Sequence, residues 1–212
     1  MHITLTKLMN AIGGVTFLCL TSAFADIEIP ATMVRSLDYT NYWLPGYTGF
    51  GGATPFVSFA VFDLSIPHEP ITQATLRLFA DSVDTSGTLA LWDYSGDVPA
   101  LAAGIADPNV AFWDLSSGLR LGSITVTASG PIVLSINSAG VDLLNSVSGA
   151  VAIGINYEVP WIVNQPSFLK FNTDTMAPRL ELITVPEPST YAAAVCYLAI
   201  LGMWTCWNRV RS

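Results

Sequence analysis

The chain has 212 residues, of which 51% are hydrophobic and only 11% charged, and its formal net charge is −8. Between Asp26 and Val185, five basic residues (Arg35, Arg77, Arg120, Lys170 and Arg179) stand against fifteen acidic ones, a balance of −10 that repels phosphate and excludes nucleic acid and anionic lipid as partners of this region. The three cysteines, Cys19, Cys196 and Cys206, all lie in apolar runs near the two ends, so the region between has no disulfide, no thiolate metal site and no cysteine nucleophile.

Residues 1–25 read as a secretory signal peptide. Lys7 supplies a positive start, residues 11–20 are a short apolar run, and Ala23-Phe24-Ala25 is an A-x-A cleavage signal. The run is about half of the ~20 residues that a membrane span needs. Cleavage after Ala25 makes Asp26 the mature N-terminus of an exported domain covering 26–184.

From Ile27 onward, short runs with apolar residues at every second position are separated by Gly- and Pro-bearing turns, which is the strand signature. Ala74, Leu76 and Leu78 form one such set, followed by Leu89 with Leu91, Ile124 with Val126, and Ile132, Leu134 and Ile136. Val151, Ile153 and Ile155 make another, and Leu180 with Leu182 the last. Residues 56–64 are almost all apolar, as in a central strand covered on both faces. Only residues 138–145 break the pattern: Ser138 is a plausible N-cap, Val141 and Leu144 fall at helical spacing, and Gly149 follows as a stop. The expectation is an all-β domain of eight or nine strands, an antiparallel jelly-roll-like β-sandwich with one short helix.

Catalytic constellations are scarce. His68, in the turn Pro67-His68-Glu69-Pro70, is the only histidine beyond the leader: a Ser-His-Asp triad would have to use it, no G-x-S-x-G nucleophile elbow accompanies it, and the ligands for a zinc site are lacking. Asp93, Asp97, Asp107 and Asp114 lie in or beside turns and are the carboxylates a glycosidase would have to pair, although turn aspartates usually bond the local backbone. Asp81-Ser82-Val83-Asp84 lacks the alternating ligands of a calcium loop. The expectation is a non-enzyme with no metal and no cofactor. The most suggestive surface is residues 39–52, where Tyr39, Tyr42, Trp43, Tyr47 and Phe50 alternate with four glycines. Flat aromatic faces on such a loop suit sugar rings, making Tyr42, Trp43, Tyr47 and Phe50 candidate glycan-binding residues; the same rings would equally close one end of a sandwich core. Trp92, Trp113 and Trp161 read as core or rim residues.

The C-terminal segment, 185–212, has three parts. Val185-Pro186-Glu187-Pro188-Ser189-Thr190 is extended, because two prolines flank Glu187. Residues 191–207 are an apolar run at the lower limit of a transmembrane helix, with Tyr191, Trp204 and Trp207 at interfacial positions. The tail 208–212 carries Arg209 and Arg211, which the positive-inside rule places in the cytoplasm, leaving the domain outside.

Those three parts in that order resemble the PEP-CTERM sorting signal of Gram-negative bacteria. The resemblance implies recognition of Pro186, Glu187 and Pro188 by a membrane-embedded exosortase, which would cut near the motif and release or re-attach the domain. The runs 56–65, 71–78 and 177–182 are loosely similar to exported bacterial β-sandwich modules of the DNRLRE type, some of which bind acidic polysaccharides. Residues 136–145 with 151–154 are similar to a segment of PEP-CTERM proteins. The resemblance transfers no binding residues, because the matching positions are core alternations. The expected function is a non-catalytic surface or extracellular-matrix protein, sorted by exosortase and associated with exopolysaccharide or biofilm. A carbohydrate-binding module using residues 39–50 is the alternative, and a polysaccharide hydrolase comes third.

Overall fold

The period-two segments form strands. The computed structural model describes residues 25–43, 46–51, 54–65, 70–159, 167–185, 197–198 and 200–201. It contains β1 (Ala25–Pro30), β2 (Met33–Leu37), β3 (Tyr42–Trp43), β4 (Tyr47–Gly51), β5 (Thr54–Asp63), β6 (Ile71–Val83), β7 (Gly87–Asp93), α1 (Val98–Ala103) and α2 (Pro108–Ser117). These are followed by β8 (Arg120–Val126), β9 (Gly130–Ser135), α3 (Ser138–Ser146), β10 (Ala150–Glu158), β11 (Ser167–Phe171) and β12 (Arg179–Thr184). Every strand pair is antiparallel, and the hydrogen-bonded order is β1-β12-β6-β11-β4-β5-β10-β7-β8. β9 pairs with the other edge of β6, β2 pairs with β5, and β3 pairs with β2.

This sheet curls around one core. Leu76 and Leu78 of β6, Leu134 of β9, Leu180 and Leu182 of β12, and Phe171 of β11 meet Phe62 of β5, Leu89 and Leu91 of β7, and Ile153 and Ile155 of β10. Asn137 N bonds Leu121 O at 2.7 Å, which joins β8 to the end of β9 and closes the curl. β5 is covered on both faces, as its unbroken apolar run predicts. Ala60 and Phe62 point into the main core, while Val57, Phe59 and Val61 belong to a second cluster on the outer face.

Two helices that the sequence reading leaves out cover that second cluster. Three helices are present among the described residues of the domain, where one is expected. Leu101 of α1, and Ala111, Phe112 and Leu115 of α2, pack on Leu37, Val57, Phe59 and Ala152. Both helices start with aspartate followed by proline within two residues, a helix-start signal that also reads as a turn. Asp97 accepts from Ala100 N at 3.1 Å, and Asp107 from Asn109 N at 2.9 Å. α1 has only six residues, too few to show a period, and α2 exposes Val110 and Trp113 opposite its buried face, which blurs its amphipathic pattern. Gly154 lets α2 lie against β10: a Cβ there would come within 2.2 Å of Leu115 O. For α3 the cap is one residue earlier than expected, since Asn137 accepts from Gly140 N at 2.9 Å.

The aromatic stretch 39–52 is also corrected. It is not one loop, because β3 and β4 lie within it, and β4 links the two halves of the sheet through β11 on one side and β5 on the other. Gly49 has a φ of +119°, and a Cβ on it would sit 2.3 Å from Ser167 O, so glycine here serves close strand approach as well as backbone conformation.

Candidate functional site

The geometry most relevant to the C-terminal segment is where the domain begins and ends. β1 and β12 run antiparallel in a register that puts Ala25 opposite Thr184 and Pro30 opposite Arg179. The residue at the expected leader cleavage site and the last strand residue before the Pro-Glu-Pro motif are therefore neighbours across one ladder. β12 is an interior strand, bonded to β1 on one side and to β6 on the other, with Leu180 and Leu182 fully buried. Its C-terminal end is fastened: Thr184 is buried, and Val185 N bonds Pro70 O at 3.2 Å.

The outer face of this strand trio carries alternating charge. Arg179 pairs with Glu28 and Arg77 with Glu181 across the β1-β12-β6 ladder. These pairs are half exposed and individually weak. Together they keep like charges from standing unopposed where Arg179 faces Arg77 and Glu181 faces Glu28.

Pro186, Glu187, Pro188, the basic tail with Arg209 and Arg211, residues 1–24, and His68 and Trp161 lie outside the described residues. Of 191–207, Tyr197, Leu198, Ile200 and Leu201 are helical and exposed. Among the described residues, no helix is long and apolar enough to cross a membrane.

The candidate glycan-binding residues have different neighbours. The Tyr42 hydroxyl donates to Ala106 O at 3.0 Å and the ring packs against the helix-covered cluster. Burial raises its phenol above the ordinary value; nearby Tyr94 and Asp107 add to the rise and Arg35 opposes it. Tyr47, on β4, is 39% exposed, with Phe168 edge-on at 6.0 Å and Lys170 Nζ 5.7 Å from its ring centre. The side chains of Trp43 and Phe50 lie outside the described residues. Trp92 is half-buried at the rim, with the Arg120 guanidinium 5.4 Å from its ring. Trp113 departs from the core-or-rim reading: it is 59% exposed and held edge-on by Phe112 at 5.3 Å.

The four aspartates all bond within the domain, and Asp114 lies in α2 rather than in a turn. Asp97 and Asp107 cap helices, Asp93 accepts from Leu119 N at 2.5 Å, and Asp114 accepts from Ser95 N at 2.9 Å. Asp81 and Asp84 contact Asn172 and Phe168 N beside β11. Among the described residues, no three His, Cys, Asp or Glu side chains converge as a metal site.

One polar cluster was hidden from sequence reading. Ser36, Thr48 and Ser58 are fully buried at the crossing of β2, β4, β5 and β10. Tyr47 N donates to Ser36 Oγ at 3.0 Å, and Ser58 Oγ donates to Tyr47 O at 2.7 Å. With the Ser58 proton used, the 2.7 Å contact between the two serines has Ser36 as donor. Thr48 Oγ1 accepts from Tyr157 N at 3.0 Å and donates to Ile155 O at 2.8 Å. These hydroxyls tie β4 to β2, β5 and β10 by satisfying backbone groups of Tyr47, Ile155 and Tyr157. No protein-family model and no curated protein sequence matches the chain.

Proposed function

We propose that this is an exported, non-catalytic surface or matrix domain delivered by a removable C-terminal sorting segment. In this reading, 1–25 is a cleaved leader and the fold is a jelly-roll-like sandwich. Residues 191–207 hold the precursor in the inner membrane of a Gram-negative cell until an exosortase acts at Pro186-Glu187-Pro188, and the destination is an exopolysaccharide layer. The supporting observation is the register of β1 against β12, which sets Ala25 beside Thr184. A leader and a membrane helix attached at those points leave the domain side by side, so the domain can complete its sheet while both are still attached. Because β12 is an interior strand, processing has to fall beyond Val185 if the sheet is to survive.

Intact-mass measurement of the protein from an exosortase-bearing host tests this. The expected species starts at Asp26 and ends shortly after Val185. Retention of residues 191–212 at wild-type exosortase levels would refute the sorting reading.

A second reading, carbohydrate binding through the Tyr42, Trp43, Tyr47 and Phe50 region, is favoured by the exposure of Tyr47 beside Phe168 and Lys170. Glycan binding abolished by Tyr47→Ala would support it, and binding indifferent to Tyr47→Ala and Trp43→Ala would remove it.

A further inference from the structure

A cleft of about 510 Å³ opens between α3 and the paired strands β6 and β9. Its origin is a divergence of chains. Ile136 N makes a last bond to Ala74 O at 2.9 Å, and the next residue, Asn137, bonds Leu121 O instead, turning the chain away from β6 into α3. The helix is then tied back at its far end, where Asn145 accepts from Ile71 N at 2.8 Å and donates to Ile71 O at 2.9 Å. The wedge between is thus held open at both ends by fixed contacts.

The apolar part of the lining is Ala74 and Ile136, both nearly buried in the main core, and half-buried Val141. The rim is polar: Thr72, Gln73 and Thr75 from β6, Ser135 from β9, and Ser138 and Asp142 from α3. Thr72 donates to Ile183 O at 3.1 Å. Among the described residues, the other five rim side chains have no hydrogen-bond partner in the protein, so their donors and acceptors are free for a ligand. The volume falls within the range of small-molecule sites, while the lining is more polar than theirs usually is.

We infer that this cleft is a binding site for one sugar unit of a neutral polysaccharide. A pyranose ring has apolar C–H groups for Val141 and hydroxyls around its edge for the polar side chains. Asp142 accepts from ring hydroxyls in charge-assisted bonds, and the Gln73 amide both donates and accepts. Among the described residues no lysine or arginine lines the cleft, so a phosphate, sulfate or uronate finds no counter-charge in them and meets the Asp142 carboxylate instead. Among the described residues, one carboxylate beside neutral groups is also too few for a divalent cation. The site is separate from the Tyr47 surface and does not depend on the sorting reading.

The test uses the full chain in phosphocholine-detergent micelles, probed with an array of neutral glycans and a parallel set of sulfated and uronic-acid glycans. Calorimetry on the best neutral hexasaccharide follows. Neutral glycans are expected to bind and anionic ones not to. Gln73→Ala and Asp142→Asn, both at exposed positions, should each weaken binding about tenfold, as loss of a ligand hydrogen bond to an amide or carboxylate does, with unchanged thermal melts. Tyr47→Ala should leave affinity intact. Absence of neutral-glycan binding, or binding that survives both cleft substitutions, would overturn the assignment. Binding lost on Tyr47→Ala but retained in the cleft variants would overturn it in favour of the β4 surface.

Discussion

Buried hydroxyls at Ser36, Thr48 and Ser58 show how much of this domain depends on single polar atoms. Each satisfies backbone groups where β4 meets β2, β5 and β10, away from solvent. Removing one leaves a buried donor or acceptor unpaired at about 1–3 kcal/mol. Ser58→Ala is therefore expected to lower unfolding stability by that amount in urea titration, and Thr48→Val similarly, while Ser123→Ala at an exposed position changes little. Tyr157 is the largest fully buried side chain, its hydroxyl donating to Thr85 O and, at 3.2 Å, to Val126 O. Burial is the main cause that raises its phenol above the ordinary value, as it does for Tyr42 and Tyr94. The folded state holds these protons more tightly than the unfolded chain. Their contribution is thus fully present below the ordinary phenol value near pH 10 and is lost as pH rises through the raised folded values. Melting temperature should fall between pH 9 and pH 11, and the fall should be smaller in Tyr157→Phe.

At the scale of elements, α2 is the least legible and among the most consequential. Its Phe112 and Leu115 cover the outer face of β5 and β10, so Phe112→Ala should cost about 3–5 kcal/mol by cavity formation, read as a shift in the denaturant midpoint. Asp107→Ala should cost about 1 kcal/mol through loss of the cap. β12 carries a different prediction. A chain ending after Val185 retains every strand and should fold, whereas one ending at Pro178 removes an interior strand and should be unfolded by circular dichroism. Period-two strands such as β6, β9 and β12 were legible because each has one buried face. β3 and β4 were not, because glycines and aromatics at 46–51 answer to close approach by β11 rather than to alternation. α1 and α2 were missed because their Asp-Pro starts match turns, and whether such a start becomes a helix depends on the apolar sheet face beneath it.

At the scale of the whole molecule, the relation between the ends governs the proposed delivery. β1 and β12 are hydrogen-bonded neighbours, so a leader attached at one and a membrane helix at the other need no rearrangement of the domain. The charge pairs Arg179–Glu28 and Arg77–Glu181 lie along this seam. Being half exposed, they are screened by salt, and Glu28→Gln is expected to change stability by less than about 1 kcal/mol, with the difference shrinking in high-salt melts. The region's excess of acidic residues predicts no retention on anionic vesicles once residues 191–212 are removed, which a flotation assay measures. The candidate cleft also belongs to this scale. Gln73 and Asp142 are far apart in the chain and meet only because β9 pairs with β6 before turning into α3.

By itself, the sequence determined what local pattern can carry: the alternating strands, the doubly covered β5, the short helix after Asn137, and the three-part tail that motivates the sorting proposal. Each depends on residues within a dozen positions of one another. Tertiary structure alone decided the pairing of β1 with β12, the hydroxyl cluster at the strand crossing, the two helices over the outer face, and the cleft beside α3. Those arise from contacts between distant segments, where one serine or glycine takes its meaning from a neighbour that the linear chain does not name.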